Sequence, residues 1–192
     1  MPKTDQHSLI TLKAEAFSGI IRQLEFIGED PQREGLRETP SRVLRSWAEL
    51  FSGYALDPAA VFKTFSDGAC QEMVILREVD FFSTCEHHLL PFFGTVSIGY
   101  IPDQKVIGVS KLARLVDIFS RRLQIQERLT AKIADTLVQH LQPKGAMVVC
   151  RATHLCMVAR GVKKNSPTMV TSAIRGAFAA AEVRAEFLRL IE

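Results

Sequence analysis

Hydrophobic residues in the N-terminal part of the chain repeat at the spacing of amphipathic helices. Over residues 9–28 the apolar side chains recur every three or four positions, and Gly28 then marks the end of a predicted helix. These apolar residues are Leu9, Leu12, Phe17, Ile20, Ile21 and Leu24. A second helix is predicted after a turn, with Thr39 as its N-cap, Pro40 at its first helical position and Gly53 near its end. The chain therefore begins with a helical arm.

From about residue 73 the pattern changes to short runs rich in β-branched and aromatic residues. Residues 73–84 and 91–102 are predicted to be strands, because both runs are bounded by turn-forming residues. Further strands are predicted over residues 146–159 and 168–174, followed by a closing helix that reaches Ile191.

Two helices are predicted between these pairs of strands. The first begins at Ser110, and its apolar residues fall at positions i, i+3, i+4 and i+7. The second covers residues 126–141 and ends before Pro143. This arrangement predicts an α+β fold with an antiparallel sheet. Since no repeat or linker interrupts the chain, residues 1–70 are assigned to an N-terminal helical region and residues 71–192 to one sheet-containing domain.

Composition restricts the class of protein. The chain has 192 residues, of which 47% are hydrophobic and 23% charged, as is typical of a soluble globular protein. No apolar run reaches the roughly 18 residues needed to span a bilayer. The N-terminus also lacks the pattern of a secretory signal. We therefore expect a soluble, cytoplasmic protein without a membrane partner.

The charge of the chain is small but unevenly distributed. A formal net charge of +3 does not by itself predict binding to nucleic acid. Between Asp135 and Glu182, however, the charged residues are all basic. They are Lys144, Arg151, Arg160, Lys163, Lys164 and Arg175. This segment is either a solvated basic face or a binding site for an anion.

Two short clusters contain groups that bind metals. Cys85 and His88 are three residues apart at the end of a predicted strand. His154 and Cys156 are two residues apart in a strand-like run, which predicts that their side chains leave the same face of the sheet. Four protein ligands would form a closed structural zinc site, whereas three would leave a position for water, as in catalytic sites. Buried thiols and core histidines without a metal are the third interpretation. Cys150, six residues from Cys156, is expected to be a buried structural cysteine.

Glu127 lies at the start of the helix predicted over residues 126–141. An acidic residue there can simply complement the helix dipole. It can also accept paired N–H donors from a ligand. The residue pattern alone leaves both interpretations open.

Five segments taken together resemble the GTP cyclohydrolase I family. They are "EDPQREGLRETPSRVLRSWAELFSGY", "STCEHHLLPF", "GVSKLARLVDIFSRRLQIQERLT", "ATHLCMVARGV" and "TSAIRGAF". They follow the family's order and cover most of residues 29–178. One small departure is Ser97, where many members of the family have histidine.

The resemblance implies a role for individual residues. It implies that Cys85, His88 and Cys156 bind one Zn2+ ion, with water in the fourth position, and that His87 and His154 transfer protons. The implied substrate-binding residues are Glu127 and Gln126 for the guanine edge, and Ser110, Lys111, Arg114 and Arg160 for the triphosphate.

The resemblance also implies a reaction and an assembly. Members of the family convert GTP and water to 7,8-dihydroneopterin triphosphate and formate, the first step of pteridine synthesis toward folate or tetrahydrobiopterin. Their T-fold has antiparallel strands and paired helices, and the subunits form a homodecamer around a tunnel with active sites at the interfaces. Residues 71–192 would then be the catalytic T-fold domain, and GTP and other copies of the chain the partners.

Overall fold

The computed structural model describes residues 6–67 and 70–192. It divides into two compact units, residues 1–55 and residues 56–192. The first unit contains α1 (Gln6–Phe26) and α2 (Thr39–Leu50). The predicted boundary at residues 70 and 71 stays a prediction, and residues 1–5 and 68–69 lie outside the described part of the chain.

The first unit follows the predicted helical pattern, with a difference at the start of α2. Helix α1 ends at Phe26, and Gly28 follows it with a φ of 89°, a conformation that favours glycine. The predicted N-cap of α2 is wrong, because Glu38 occupies the cap and Thr39 is already helical. Pro40 still lies in the first turn, where its missing N–H is not needed.

The second unit is built around one five-stranded sheet, so the predicted α+β class is confirmed. Its elements are β1 (Thr64–Phe65), β2 (Val74–Cys85), β3 (Pro91–Ile101), β4 (Val106–Ile107), α3 (Val109–Ser120), β5 (Leu123–Gln124), α4 (Gln126–Leu141), β6 (Gly145–His154), α5 (Leu155–Val158), β7 (Met169–Gly176) and α6 (Ala181–Leu190). The strand order in the sheet is β5-β2-β3-β6-β7, while β1 and β4 pair separately.

The sheet is mixed, whereas the sequence predicted an antiparallel one. The pairs β2/β3, β3/β6 and β6/β7 are antiparallel, but the short β5 runs parallel to the end of β2. Within β2 a bulge at Glu78, which has a φ of 58°, shifts the register. The Glu78 N–H donates a hydrogen bond to Ser97 Oγ at 3.3 Å, so the residue that departs from the family pattern supports this bulge.

Helices cover both faces of β6. Val148 and Cys150 belong to the larger core cluster, which also contains the buried residues of α3 and α4. Met147 and Val149 point to the other face and pack with Phe187 of α6. This alternation follows from the two-residue period of a strand, and it buries β6 on both sides.

Two predicted boundaries in the second unit are wrong. Helix α3 starts at Val109, one residue before the predicted start at Ser110, with Gly108 as its cap. The strand predicted over residues 146–159 ends at His154, and the chain then enters the short helix α5. The partner strand explains this, because His154 pairs with Phe92 and the preceding residue of β3 is Pro91, which has no N–H to donate.

Candidate active site

A tight turn after β2 brings a cysteine and a histidine together. The Cys85 N–H donates to the Leu90 carbonyl at 2.8 Å, and the Cys85 carbonyl accepts the Leu89 N–H at 2.9 Å. Leu89 has a φ of 55°, which reverses the chain within this turn. As a result, His88 Nδ1 lies 3.8 Å from Cys85 Sγ.

Cys156 comes to the same place from the end of β6, at the same end of the sheet as the end of β2. It lies in α5, two residues after His154, the last residue of β6 that pairs with β3. One ligand atom from each of Cys85, His88 and Cys156 lies within 4.8 Å of the others, and Cys85 is buried while His88 is exposed. Two thiolates and an imidazole are donors that zinc prefers. This group could therefore hold a metal ion.

His154 does not belong to this group, although the sequence places it two residues from Cys156. The prediction that both side chains leave the same face of a strand is wrong, because Cys156 lies on a helix. Among the described residues, the cluster that can bind a metal contains two cysteines and His88 only. Three ligands match the open arrangement of a catalytic zinc site rather than a closed structural one.

The two thiols favour a cation between them. Burial raises the pKa of Cys156, and the neighbouring Cys85 raises it further. Two adjacent thiolates repel each other when no positive charge is present, and a metal ion removes this penalty by binding both. Cys150, by contrast, is fully buried in the core, and burial raises its pKa to about 12. It is the structural cysteine that the sequence predicted.

His154 is held on two sides. Its ring stacks on Phe92, with the centroids 4.6 Å apart and the planes 5° apart. Its Nε2 lies 2.8 Å from Oε1 of Gln126. Burial lowers the pKa of His154, while the carboxylate of Glu127 opposes this effect. The half-buried imidazole is thus oriented by its neighbours, and the charge of Glu127 acts on it within the same chain.

Gln126 is buried, with only 1% of its surface exposed. Its Nε2 contacts the carbonyl oxygens of Cys150 and Met169, each at 3.0 Å, and Oγ1 of Thr171 at 3.2 Å. These contacts and the one to His154 engage both the nitrogen and the oxygen of the side-chain amide. Binding of substrate by Gln126 stays a prediction, and the contacts in the structure are all to protein groups.

The other predicted residues near the metal group are exposed. His87 Nδ1 lies 4.0 Å from Cys85 Sγ, and Nη1 of Arg160 lies 3.1 Å from His88 Nε2. Glu127 is exposed in the first turn of α4. His87 and Arg160 therefore each contact a member of the Cys85, His88 and Cys156 group, while Glu127 acts electrostatically on His154. Their roles stay predictions.

The structure does not bring Ser110, Lys111 and Arg114 to this group. They lie in the first turns of α3, whose last residue, Ser120, precedes β5 at the end of β2 that carries Cys85. Ten residues of helix separate Ser110 from that end, which corresponds to about 15 Å. Ser110 therefore lies near the end of α3 away from the metal group, while Arg114, six residues before Ser120, is about 9 Å from the near end.

An ion pair that the sequence analysis missed connects the turn to α4. Arg128 donates to the carboxylate of Glu86, and its Nε donates to Gln124 Oε1 at 3.0 Å. The Glu86 N–H also donates to the Gln124 carbonyl at 3.1 Å. The available signal in the sequence was a pair of opposite charges, Glu86 next to Cys85 and Arg128 next to Glu127. The pair ties the turn to the start of α4.

Comparisons with known proteins agree on one family. A sequence model described as GTP cyclohydrolase I matches residues 16–192. Curated proteins named GTP cyclohydrolase 1 from Wolinella succinogenes, Helicobacter hepaticus and Helicobacter pylori strain G27 are 61%, 48% and 50% identical to the chain. The alignments cover 92%, 100% and 88% of this chain and 96%, 93% and 94% of those proteins.

A solved structure gives a weaker likeness. The crystal structure of the archaeosine synthase QueF-Like in the apo form matches 55% of this chain and 94% of that one, with a TM-score of 0.44 and 19% identity. A likeness at this level carries no conclusion about function.

None of the helices in residues 6–67 and 70–192 is both long and apolar enough to cross a bilayer. From the match to the family model and the three bacterial relatives, the chain belongs to the GTP cyclohydrolase I family.

Proposed function

We propose that this protein is a zinc-dependent GTP cyclohydrolase that converts GTP and water to formate and 7,8-dihydroneopterin triphosphate. The observation that carries the proposal is the open group of Cys85, His88 and Cys156, with His154 oriented beside it but outside it. The family of the chain supports the substrate and the reaction. Its product would enter pteridine synthesis, toward folate or tetrahydrobiopterin, in the cytoplasm.

The metal-binding residues would be Cys85, His88 and Cys156, since their thiol and imidazole atoms lie within 4.8 Å of one another. Zinc, when bound, supplies a Lewis acid that activates water at neutral pH. The ion pair between Glu86 and Arg128 supports this arrangement, because it fixes the turn that carries two of the ligands.

His154 is the proposed proton donor and acceptor for the guanine ring. Carbon 8 of guanine is a poor electrophile until nitrogen 7 is protonated, so a positioned acid must act when water adds to carbon 8. The ring then opens, a second hydrolysis releases formate, and the ribose rearranges and recloses on the amines. His87, exposed and 4.0 Å from Cys85 Sγ, is proposed to exchange protons with the ribose.

Substrate binding is divided between two ends of the fold. Glu127 is proposed to accept N–H donors of the guanine edge, because its carboxylate is exposed and acts electrostatically on His154. Arg160 is proposed to bind the triphosphate at the same site. Ser110, Lys111 and Arg114 are proposed to bind it from the first turns of α3, where Ser110 and Arg114 are exposed and Lys111 is partly exposed. Gln126 is proposed to act at the guanine site, although its side-chain amide is buried.

The distance along α3 supports a site shared between subunits. We propose the T-fold of the family and a homodecamer around a tunnel, in which α3 of one copy approaches the metal group of another. Within the first unit, an apolar groove of about 1090 Å3 is lined by Leu9, Leu12, Phe17 and Leu44. An apolar groove of this kind supports contact with other copies of the chain.

Mixing two inactive variants tests the shared site. Lys111→Ala and His154→Ala chains, after subunit exchange, should recover activity in about a quarter of the sites, because each working site takes His154 from one chain and Lys111 from another. Mixed Glu127→Gln and His154→Ala chains should recover little, since these two residues act within one chain. Activity is measured after exchange has been verified by mass spectrometry. Recovery in the second mixture and none in the first would mean the opposite, with Lys111 and His154 acting within one chain and Glu127 and His154 supplied by different chains.

The proposed reaction is tested by measuring both products. Zinc-quantified protein supplied with GTP should release formate and 7,8-dihydroneopterin triphosphate in equal amounts, and a chelated sample should release neither. Formate without the pterin would limit the activity to ring opening. No product from a zinc-loaded oligomer would overturn the proposal.

A further inference from the structure

The orientation of the Gln126 side-chain amide is set by its partners. Its nitrogen faces the carbonyl oxygens of Cys150 and Met169, each at 3.0 Å. A carbonyl oxygen can only accept a hydrogen bond, so the atom facing it must be the NH2 group and not the amide oxygen. With 1% of the residue exposed, no water competes for these contacts. The two ends of the amide cannot exchange places.

A neighbouring pair of hydroxyls is consistent with this orientation. Thr130 Oγ1 donates to the main-chain carbonyl of Gln126 at 2.8 Å, and Thr171 Oγ1 lies 2.6 Å from Thr130 Oγ1. The Thr171 hydroxyl therefore donates to Thr130, and its oxygen lies 3.2 Å from Gln126 Nε2. Every polar hydrogen in this buried cluster has an acceptor.

The orientation of Gln126 determines which nitrogen of His154 carries a hydrogen. The amide oxygen of Gln126 faces His154 Nε2 at 2.8 Å, and an amide oxygen can only accept. His154 Nε2 must then be protonated, and in the neutral ring Nδ1 has the free lone pair. The parallel stacking on the fully buried Phe92 fixes the plane of the ring in which Nδ1 lies.

We propose that Gln126 is a positioning residue that holds His154 as the Nε2–H tautomer, which leaves the free lone pair of the ring on Nδ1. The proposal rests on the proposed function only for the reaction in which His154 takes part. It assigns different tasks to two consecutive residues of α4: Gln126 faces inward and orients His154, whereas Glu127 is exposed and is the residue proposed to bind guanine. Gln126 thus contributes to guanine chemistry through His154 and without touching the substrate.

The tautomer can be measured without turnover. In zinc-loaded protein labelled with 15N-histidine, at a pH where the ring is neutral, the His154 signals should show a protonated Nε2 and an unprotonated Nδ1. Loss of those signals in His154→Ala assigns them. Gln126→Met should shift them toward a mixture of tautomers, and Thr130→Val, which disturbs the same buried cluster without touching His154, should leave them unchanged. An Nδ1–H tautomer in the unmodified protein would overturn the proposal whether or not GTP is converted.

Kinetics separate positioning from direct substrate binding. Gln126→Met should lower kcat about 10- to 100-fold, the usual loss for an orienting partner, with KM nearly unchanged. In the His154→Ala background the same change should have little further effect, because Gln126 acts through His154. An equal loss in both backgrounds, or a raised KM with unchanged kcat, would instead make Gln126 an independent contact. If the unmodified protein shows no turnover, the proposed function fails, while the tautomer measurement still decides the role of Gln126.

Discussion

A Cys156→Ala chain should lose its zinc and at least about a thousandfold in turnover while keeping its fold. Two of the three ligands would remain, Cys85 and His88, and two protein ligands hold zinc poorly. Loss of the ion removes its activation of water, worth about 4 kcal/mol or a factor near a thousand. Because Cys156 is only half-buried in a short helix, removing its thiol leaves the core intact. Metal analysis of gel-filtered protein and formate release measure the two effects.

Cys70→Ser is the matched control for this variant. Cys70 is a free cysteine whose thiol donates to the Glu72 carbonyl, with 3.7 Å between sulfur and oxygen. It should keep the zinc content and turnover of the unmodified protein. A Cys156→Ala chain that retained both zinc and activity would show that the metal is bound by other residues.

Replacing His154 with alanine should leave zinc bound and reduce turnover by a factor of about 100 to 10,000, the usual range for a general acid or base. Retention of zinc is expected because His154 Nε2 bonds to Gln126 and the imidazole lies outside the metal group. A closed structural site made of four residues would give the opposite result, with zinc expelled or the protein unfolded. Metal content and kcat of the same preparation distinguish the two arrangements.

His140→Ala is the control for the histidine variant. His140 is exposed in α4 and stacks on Phe62, with the centroids 4.9 Å apart. Its loss should change neither zinc content nor kcat. Equal losses of activity in His140→Ala and His154→Ala would mean that removal of a histidine destabilises the fold and that His154 has no special role in proton transfer.

Local patterns predicted most of the secondary structure, and they succeeded where the signals were themselves local. Helix α4 spans Gln126–Leu141, the predicted residues 126–141, because its apolar period and the following Pro143 lie within one segment. The cap predicted at Thr39 and the helix start predicted at Ser110 were each wrong by one residue. A cap depends on the backbone angles of adjacent residues, which composition does not specify.

The end of β6 depended on another strand. Its residue pattern continues to residue 159, yet the strand stops at His154 because β3 offers no further N–H beyond Phe92. This places Cys156 on a helix instead of a strand. Cys156 does lie close to Cys85, as the resemblance implied, although the strand predicted around Cys156 was wrong.

The sequence by itself determined the elements, the α+β class, the family and the set of residues capable of chemistry. Only the tertiary structure decided that Gln126 turns inward, that Cys156 lies on a helix, and that the start of α3 is the end of that helix away from the metal group. The physical reason is the separation along the chain of the residues that determine each feature. Helix and strand periods arise from neighbouring residues, whereas the distance between side chains 70 positions apart depends on strand register and on buried polar groups finding partners.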